Sequence, residues 1–284
     1  MKIDFVKMHG AGNDYIYIDC IKNPITTDNL STIAIKLSDR HFGIGSDGIV
    51  LIIPSNIADF KMRMFNSDGS EGNMCGNAVR CIAKYVYENK YTENTHITLE
   101  TLSGIKDLWL DINENKVSEV KVDMGKPIFD PKLIPAISTK DIILKEKILI
   151  DKTIYYITCV SMGNPHCIVF VDDLETLDMN KIGPLFENNI RFPNRINTEF
   201  VKIISNNEIS MRVWERGSGE TLSCGTGACA AVVACILNKF TNYDTDIVVH
   251  LIGGMFTVNY TKDSTITLKG PTNFVFEGKI DIDI

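Results

Sequence analysis

Residues 65–89 and 214–240 carry one pattern twice, and this repeat decides the fold. The first copy reads FNSDGSEGNMCGNAVRCIAKYVYEN and the second reads WERGSGETLSCGTGACAAVVACILNKF. In both, a polar, glycine-rich loop leads to a Cys-Gly step and then to an apolar stretch with helical spacing. A helix N-terminus has unsatisfied N–H groups and the positive end of the helix dipole, which favour a thiolate. The repeat therefore predicts two helix-start cysteines, Cys75 and Cys224, that act as a pair.

The repeat extends beyond the cysteines and predicts two similar domains. Gly-Asn steps at 12–13 and 163–164, and β-rich stretches at 97–104 and 247–254, recur at nearly the same separation as the cysteines. For a chain of 284 residues this gives two domains of ordinary size. We predict an N-terminal domain at 1–124 and a C-terminal domain at 125–273, with a strand at 274–284 packing back on the first. We expect the functional site to lie between the domains.

Hydrophobic spacing predicts strands through most of each half. Residues 77–88 have apolar side chains at helical intervals, and 226–239 are apolar on nearly every side. The second stretch is therefore predicted to be a helix buried within a surrounding sheet. A further short helix is predicted near 173–183. Strand-rich halves with one buried helix each are typical of the α+β class with mixed or largely antiparallel sheets.

Composition and charge narrow the classes of partner. The chain is 44% hydrophobic and 23% charged, which is typical of a globular protein. A net charge of −7 argues against nucleic acid or an acidic membrane as a partner. The longest nearly apolar run, 228–237, is too short to span a bilayer. The start of the sequence has no signal-like apolar core, and the eight cysteines form no CxxC pair, so we predict reduced thiols in the cytoplasm.

The sequence also argues against metal and nucleotide cofactors. The cysteine spacings do not match a chelating pair. GIGSDG (43–48) matches a dinucleotide-binding pattern, but a predicted helix precedes it and a predicted strand follows, which is the reverse of the required context. We therefore predict no metal and no cofactor. The remaining cysteines are predicted to be small core residues: Cys20, Cys81, Cys159, Cys167, Cys229 and Cys235.

Several segments resemble the diaminopimelate epimerase family. They are HGAGNDY (9–15), RHFGIGSDG (40–48), FNSDGSEGNMCGNAVRC (65–81), SMGNPH (161–166), RINTEF (195–200) and WERGSGETLSCGTGACAA (214–231). The resemblance implies two pseudo-symmetric domains, each a strand-rich sheet wrapped around a central helix, in a homodimer that needs no pyridoxal phosphate. It also implies interconversion of L,L- and meso-diaminopimelate, a small-molecule substrate of lysine and peptidoglycan synthesis.

The resemblance also implies roles for individual residues. Cys75 and Cys224 are the expected acid and base, and His166 and Glu215 are expected to tune their pKa. The expected substrate-binding residues are Asn13, Asn66, Gly76, Asn77, Asn164, Asn197, Glu215, Arg216, Gly225 and Thr226. The helix-start N–H groups would hold the α-carboxylate, and Arg216 suits a second carboxylate through bidentate bonding. Gly48 departs from the pattern, because some members have Gln there.

Three other functions remain open on these residues. Another cofactor-independent two-cysteine racemase, acting on histidine, proline or hydroxyproline, would need the same thiol pair. Asn66, Asn197 and Arg216 argue against it, since a monocarboxylate needs no distal pocket. A non-catalytic ligand-binding member would not need both cysteines. A thiol-disulfide oxidoreductase is disfavoured by the missing CxxC pair.

Overall fold

The computed structural model describes residues 1–25, 27 and 29–283 and divides into two compact units. The first unit comprises residues 1–122 and 269–283, and the second comprises Asp123–Leu268. The sequence prediction put the return to the first unit at residue 274, later than the structure does. Ile284, the end of the predicted terminal strand, lies outside the described residues.

The two units have similar orders of elements, except that two strands precede the first helix of the first unit and three precede that of the second. In the first they are β1 (Lys2–Gly10), β2 (Asn13–Asp19), α1 (Leu30–Ser38), β3 (Gly48–Ile53), β4 (Phe60–Asn66), β5 (Glu71–Gly72), α2 (Gly76–Glu88), β6 (His96–Thr101), β7 (Gly104–Asn113) and β8 (Lys116–Gly125). The second has β9 (Glu146–Ile150), β10 (Thr153–Ser161), β11 (Pro165–Phe170), α3 (Met179–Glu187), β12 (Asn197–Ser205), β13 (Glu208–Glu215), β14 (Gly219–Thr221), α4 (Gly225–Leu237), β15 (Asp246–Leu251), β16 (Gly254–Tyr260) and β17 (Ile266–Pro271). Strand β18 (Asn273–Asp281) returns to the first unit.

The two units also share a pattern of strand pairing. In the first, β18, β1, β2, β3, β4, β6, β7 and β8 pair in that order, antiparallel except at β2–β3 and β4–β6. In the second, β9, β10, β11, β12, β13, β15 and β16 do the same, with parallel pairs at β11–β12 and β13–β15. The predicted α+β class, with two pseudo-symmetric, mostly antiparallel mixed sheets, is confirmed.

A buried helix packs on the sheet of each unit. Helix α2 packs on β1, β2 and β7, and α4 packs on β10, β11, β12 and β16. Eleven of the thirteen residues of α4 are buried, as its all-round apolar sequence predicts. Its alanines and Gly227 let the strands approach closely, and each fully buried valine or isoleucine contributes about 1.5–3 kcal/mol. The six cysteines predicted as core residues are all buried.

The outer helix of the second unit differs from its prediction. It spans Met179–Glu187 rather than 173–183. Asp178 caps it by accepting a hydrogen bond from the Lys181 amide, whereas the acidic residues before Asp178 form a separate turn. The helix also continues past Pro184, because Phe186 is fully buried against Phe200 and Tyr155. Packing outweighs the backbone hydrogen bond that proline removes.

Membrane-spanning helices are missing from the part of the chain that the structure describes, where every helix is too short or too polar to cross a bilayer.

Candidate active site

Cys75 and Cys224 occupy the same structural position in their respective units. Each is the N-cap residue of its central helix, with φ −131° and ψ 121° at Cys75 and φ −130° and ψ 110° at Cys224. Gly76 and Gly225 follow as the first helical residues, and both are buried. The prediction that both cysteines open a helix is confirmed, and the local backbone is nearly identical.

The Cys75 thiol faces an amide oxygen whose orientation is fixed from the other side. Cys75 Sγ donates to Asn13 Oδ1 at 3.2 Å, and Asn77 Nδ2 donates to the same oxygen at 3.2 Å. Asn13 Nδ2 in turn donates to Asp47 Oδ2 at 2.7 Å. Because Asp47 can only accept at this contact, it turns the Asn13 oxygen towards the thiol. Tyr15, which is buried, has its hydroxyl beside Cys75 and Asn13.

A fully buried guanidinium supports the first turn of α2. Arg80 Nη1 donates to the Gly76 carbonyl at 3.0 Å, and Nη2 donates to Asn77 Oδ1 at 2.6 Å. The Arg80 side chain is 0% exposed. It therefore fixes Asn77, which shares the Asn13 oxygen with Cys75. Sequence reasoning missed Arg80, although it lies in the conspicuous segment 65–81.

A charged network anchors the start of β2 beneath Asn13. Asp14 forms ion pairs with Lys7 and Arg40, and Arg40 also reaches Asp47. Burial would raise the pKa of Asp14, but hydrogen bonds from Arg40 and Lys7 outweigh it and lower the pKa. Burial and the neighbouring Asp14 charge raise the pKa of Asp47. The network therefore ties the start of β2, which carries Asn13, to the loop that carries Asp47.

The Cys224 thiol lies among polar groups of its own helix and of β13. Its Sγ accepts from the Gly227 amide at 3.3 Å and lies 3.4 Å from Thr226 Oγ1. Glu215 is also within hydrogen-bonding reach of the thiol. The carboxyl of Glu215 accepts a second hydrogen bond, from Thr221 Oγ1 at 2.5 Å. Glu215 and Cys224 are therefore placed to exchange a hydrogen.

The ionisation of Cys224 differs from the expectation based on the helix dipole. Burial, followed by the negative charges of Glu215 and Glu199, raises the pKa of Cys224 well above its ordinary value. Burial also raises the pKa of Glu215, against opposing effects of Thr221 and His166. Desolvation and like charge thus outweigh the dipole at Cys224 and favour its thiol form.

His166 lies in the second unit, but its ring nitrogens are engaged by oxygen atoms. Nδ1 lies 2.7 Å from Glu199 Oε1, and Nε2 lies 3.0 Å from Asn164 Oδ1. His166 and Glu199 are both fully buried. His166 therefore contacts the Glu199 carboxyl, and its charge lowers the pKa of Glu215. Glu199 was not predicted, although it lies in the RINTEF segment.

The remaining predicted binding residues have distinct placements. Asn197 Nδ2 donates to the Pro165 carbonyl at 2.8 Å, and its Oδ1 accepts from the Arg216 amide at 2.8 Å. Asn197 thus positions Arg216, whose exposed guanidinium donates to the Asn194 carbonyl. In the first unit, Asn66 ends β4 and donates to Ser70 Oγ at 3.0 Å.

Gly48 has a backbone that excludes a side chain. A Cβ there would lie 2.1 Å from the Phe65 carbonyl oxygen. The glutamine found at this position in some family members therefore has no counterpart in this chain.

Among residues 1–25, 27 and 29–283, no cluster of three His, Cys, Asp or Glu side chains has an arrangement that could hold a metal ion.

Comparisons with known proteins identify close relatives of the chain. The sequence model of the family described as diaminopimelate epimerase matches residues 5–129 and 158–275. A diaminopimelate epimerase of Agathobacter rectalis is 52% identical over 98% of this chain and 99% of its own length. One of Methanococcus maripaludis is also 52% identical over 98% of this chain and 99% of its own length.

Solved structures show the same fold at lower identity. A phenazine biosynthesis protein of the PhzF family from Bacillus anthracis has a TM-score of 0.71 and 20% identity, covering 99% of this chain and 100% of that one. A hydroxyproline epimerase from Agrobacterium vitis has a TM-score of 0.68 and 14% identity, covering 98% and 91%. At such identities the comparison establishes the two-unit fold alone.

Proposed function

The chain belongs to the diaminopimelate epimerase family, and from this premise we propose that it interconverts L,L- and meso-diaminopimelate with Cys75 and Cys224 as its acid and base. The observation that carries the proposal is the matched placement of the two cysteines. Each is the N-cap of a central helix, with the same backbone conformation and a buried glycine after it.

Two thiols suit the chemistry of epimerisation. One thiolate takes the α-hydrogen as a proton, so a C–H bond breaks and an S–H bond forms. The electron pair of the broken C–H bond stays on the carbon. The other thiol then delivers its hydrogen to the opposite face, so its S–H bond breaks and a new C–H bond forms. The enzyme ends with the thiol and thiolate exchanged, and the roles reverse with direction. General acid–base groups of this kind contribute about 10²–10⁴-fold each.

The carbanion-like intermediate needs charge stabilisation at the α-carboxylate. The helix-start amides of Gly76, Asn77, Gly225 and Thr226 are the groups we assign to this role. Preorganised N–H donors at a helix N-terminus favour anionic charge and need no reorganisation during the reaction. Buried Gly76 and Gly225 leave the first amide of each helix uncovered by a side chain.

Substitution of Arg216 by lysine is expected to weaken recognition of the second carboxylate. Arginine binds a carboxylate through two parallel hydrogen bonds, which lysine cannot reproduce. We expect kcat/KM for diaminopimelate to fall about 10–100-fold, mostly through KM. Steady-state kinetics would measure this for Arg216→Lys and for the control variant Arg191→Lys. Arg191 donates to the carbonyls of Ile137 and Lys147, away from these residues. Equal KM values in both variants would contradict the assignment.

The direct test is incubation with L,L-diaminopimelate in D₂O, without added cofactor and with a chelator present. We expect deuterium at the α-carbon by NMR and meso product by chiral chromatography. Activity on histidine, proline or hydroxyproline, with none on diaminopimelate, would replace the substrate and keep the two-thiol chemistry. No exchange with any of these amino acids would remove the epimerase proposal.

We also propose that the protein is a homodimer in the cytoplasm, where both thiols stay reduced. Three consecutive apolar residues of β18, Phe274, Val275 and Phe276, are 51%, 50% and 44% exposed. Exposure of three consecutive apolar side chains to water is unfavourable, and burial against a second copy of the chain would remove that exposure. Val275→Asp is expected to convert a dimer to a monomer in sedimentation experiments. Ile190→Asp is the control, because Ile190 is 89% exposed and lies outside β18. A monomeric wild type would contradict the proposal.

A further inference from the structure

The second unit buries more acidic groups around Cys224 than it has cations to balance them. Glu199 and His166 are fully buried, Cys224 is 6% exposed, and Glu215 is partly buried beside the thiol. Three of these four groups become negative when they lose a proton, and His166 alone can carry a positive charge. Among the described residues Glu215 has no ion-pair partner.

Hydrogen bonding pairs His166, the one group here that can be positively charged, with the Glu199 carboxylate. The Glu199 Oε1 atom lies 2.7 Å from His166 Nδ1, and the opposite ring nitrogen faces Asn164 Oδ1 at 3.0 Å. With oxygen acceptors at both nitrogens, the ring is best satisfied when each nitrogen carries a hydrogen. A buried carboxylate without such a cation would be strongly destabilising.

The same carboxylate lies close to the Cys224 sulfur. A Cβ on Gly227 would lie 2.6 Å from Glu199 Oε1 and 3.2 Å from Cys224 Sγ, so both atoms border one point at the first turn of α4. The other carboxyl oxygen, Oε2, is buried with no hydrogen-bond partner among the described residues. Its charge is therefore poorly screened from the thiol.

We propose that Glu199 is a positioning residue that holds His166 as an imidazolium and keeps Cys224 in its thiol form, so that the second unit supplies the proton donor of the resting enzyme. The inference deepens the proposed epimerase function and rests on it for its meaning in the reaction. Glu215, which accepts a hydrogen bond from Thr221, lies within hydrogen-bonding reach of Cys224.

The groups that face Cys224 give the direction of the expected pH effect. They are Glu215 on β13, Glu199 on β12, and Thr226 and the Gly227 amide on α4, with His166 on β11 behind Glu199. Glu199 contributes like charge, which disfavours the thiolate. Glu199 Oε1 borders the thiol, whereas His166 lies behind Glu199, so the carboxylate charge acts on Cys224 at shorter range than the imidazolium charge. Removal of the carboxylate charge therefore lets Cys224 ionise at lower pH, even when the imidazolium is lost with it.

The test is a thiolate titration by ultraviolet absorbance, taken as the difference between each protein and its Cys224→Ser counterpart. We expect Glu199→Gln to lower the midpoint of Cys224 by about one pH unit or more, which is about a tenfold rise in thiolate at a given pH. Glu199→Asp, which keeps the charge, should restore most of the wild-type midpoint. Glu187→Gln removes another buried carboxylate of this unit, one bonded to Trp214, and should leave the midpoint unchanged.

An unchanged or higher midpoint in folded Glu199→Gln would overturn the inference. If that variant does not fold, the wild type still decides, because ¹⁵N NMR at neutral pH must show hydrogen on both nitrogens of His166. A neutral ring in that spectrum would overturn it equally. Neither measurement uses substrate, so a protein that fails to epimerise diaminopimelate but shows both signals would lose the proposed function alone.

Discussion

Replacement of Cys75 or Cys224 by alanine is expected to lower the rate of epimerisation by about 10²–10⁴-fold. Each substitution removes the acid or base on one face of the α-carbon and leaves the other. The helix-start amides remain, so binding of diaminopimelate should persist. The substrate hydrogen that faces the surviving cysteine should still exchange with solvent, because a single thiolate can remove and return it on one side.

Deuterium exchange and product formation therefore have to be measured together for each variant. Cys81 and Cys235 give matched controls, because they lie on the same two helices and are fully buried. Cys81→Ala and Cys235→Ala should keep epimerisation near the wild-type rate. Retention of meso product formation in Cys75→Ala or Cys224→Ala would contradict the two-thiol mechanism.

Substitution of Arg80 by methionine is expected to damage both stability and catalysis. Arg80 holds the Gly76 carbonyl and the Asn77 side chain from within the core. Its loss leaves two buried acceptors without these donors, at about 1–3 kcal/mol each in the free energy of unfolding. Asn77 also lies against the Asn13 oxygen that faces Cys75. We therefore expect kcat/KM to fall about 100-fold as that geometry loosens.

Urea unfolding and steady-state kinetics would check the two effects separately. Arg63→Met is the matched control, because Arg63 is 38% exposed and pairs with Glu71 at the surface. A surface ion pair of this kind contributes about 0–1 kcal/mol. Similar losses of stability in Arg80→Met and Arg63→Met would show that the buried guanidinium has no special role.

The elements closest to the cysteines were predictable because their signals are local. A glycine-rich loop, a Cys-Gly step and an apolar helical period occur together within segments 65–89 and 214–240, and helices α2 and α4 begin where that pattern places them. The outer helix α3 was misplaced: it spans Met179–Glu187 and continues past Pro184, because Phe186 is buried. Residue propensity and tertiary packing disagreed there, and packing won.

The contacts around each thiol were less predictable, because they depend on strand register. Parallel pairing of β11 with β12 sets His166 opposite Asn197 and so brings Glu199 onto the same face of the sheet. A register shifted by one residue would turn Glu199 away from the histidine. Asp47 likewise reaches Asn13 only after folding, because the two residues are 34 positions apart in the chain. The helix dipole favours a thiolate at either cysteine, but burial raises the pKa of Cys224, and burial is not visible in the local sequence.

The return of β18 to the first unit has a consequence for synthesis on the ribosome. Strand β1 pairs with both β2 and β18, so the first unit needs residues from both ends of the chain to complete its sheet. Residues 123–268 emerge earlier and form a continuous unit. During translation the sheet of the first unit therefore stays incomplete, with one edge of β1 unpaired, while residues 123–268 can already fold. The Met1 amino group donates to the Ile282 carbonyl, so β1 and β18 have adjacent ends. In a circular permutant that joins these ends, β18 and β1 would be synthesised one after the other, which would remove this delay.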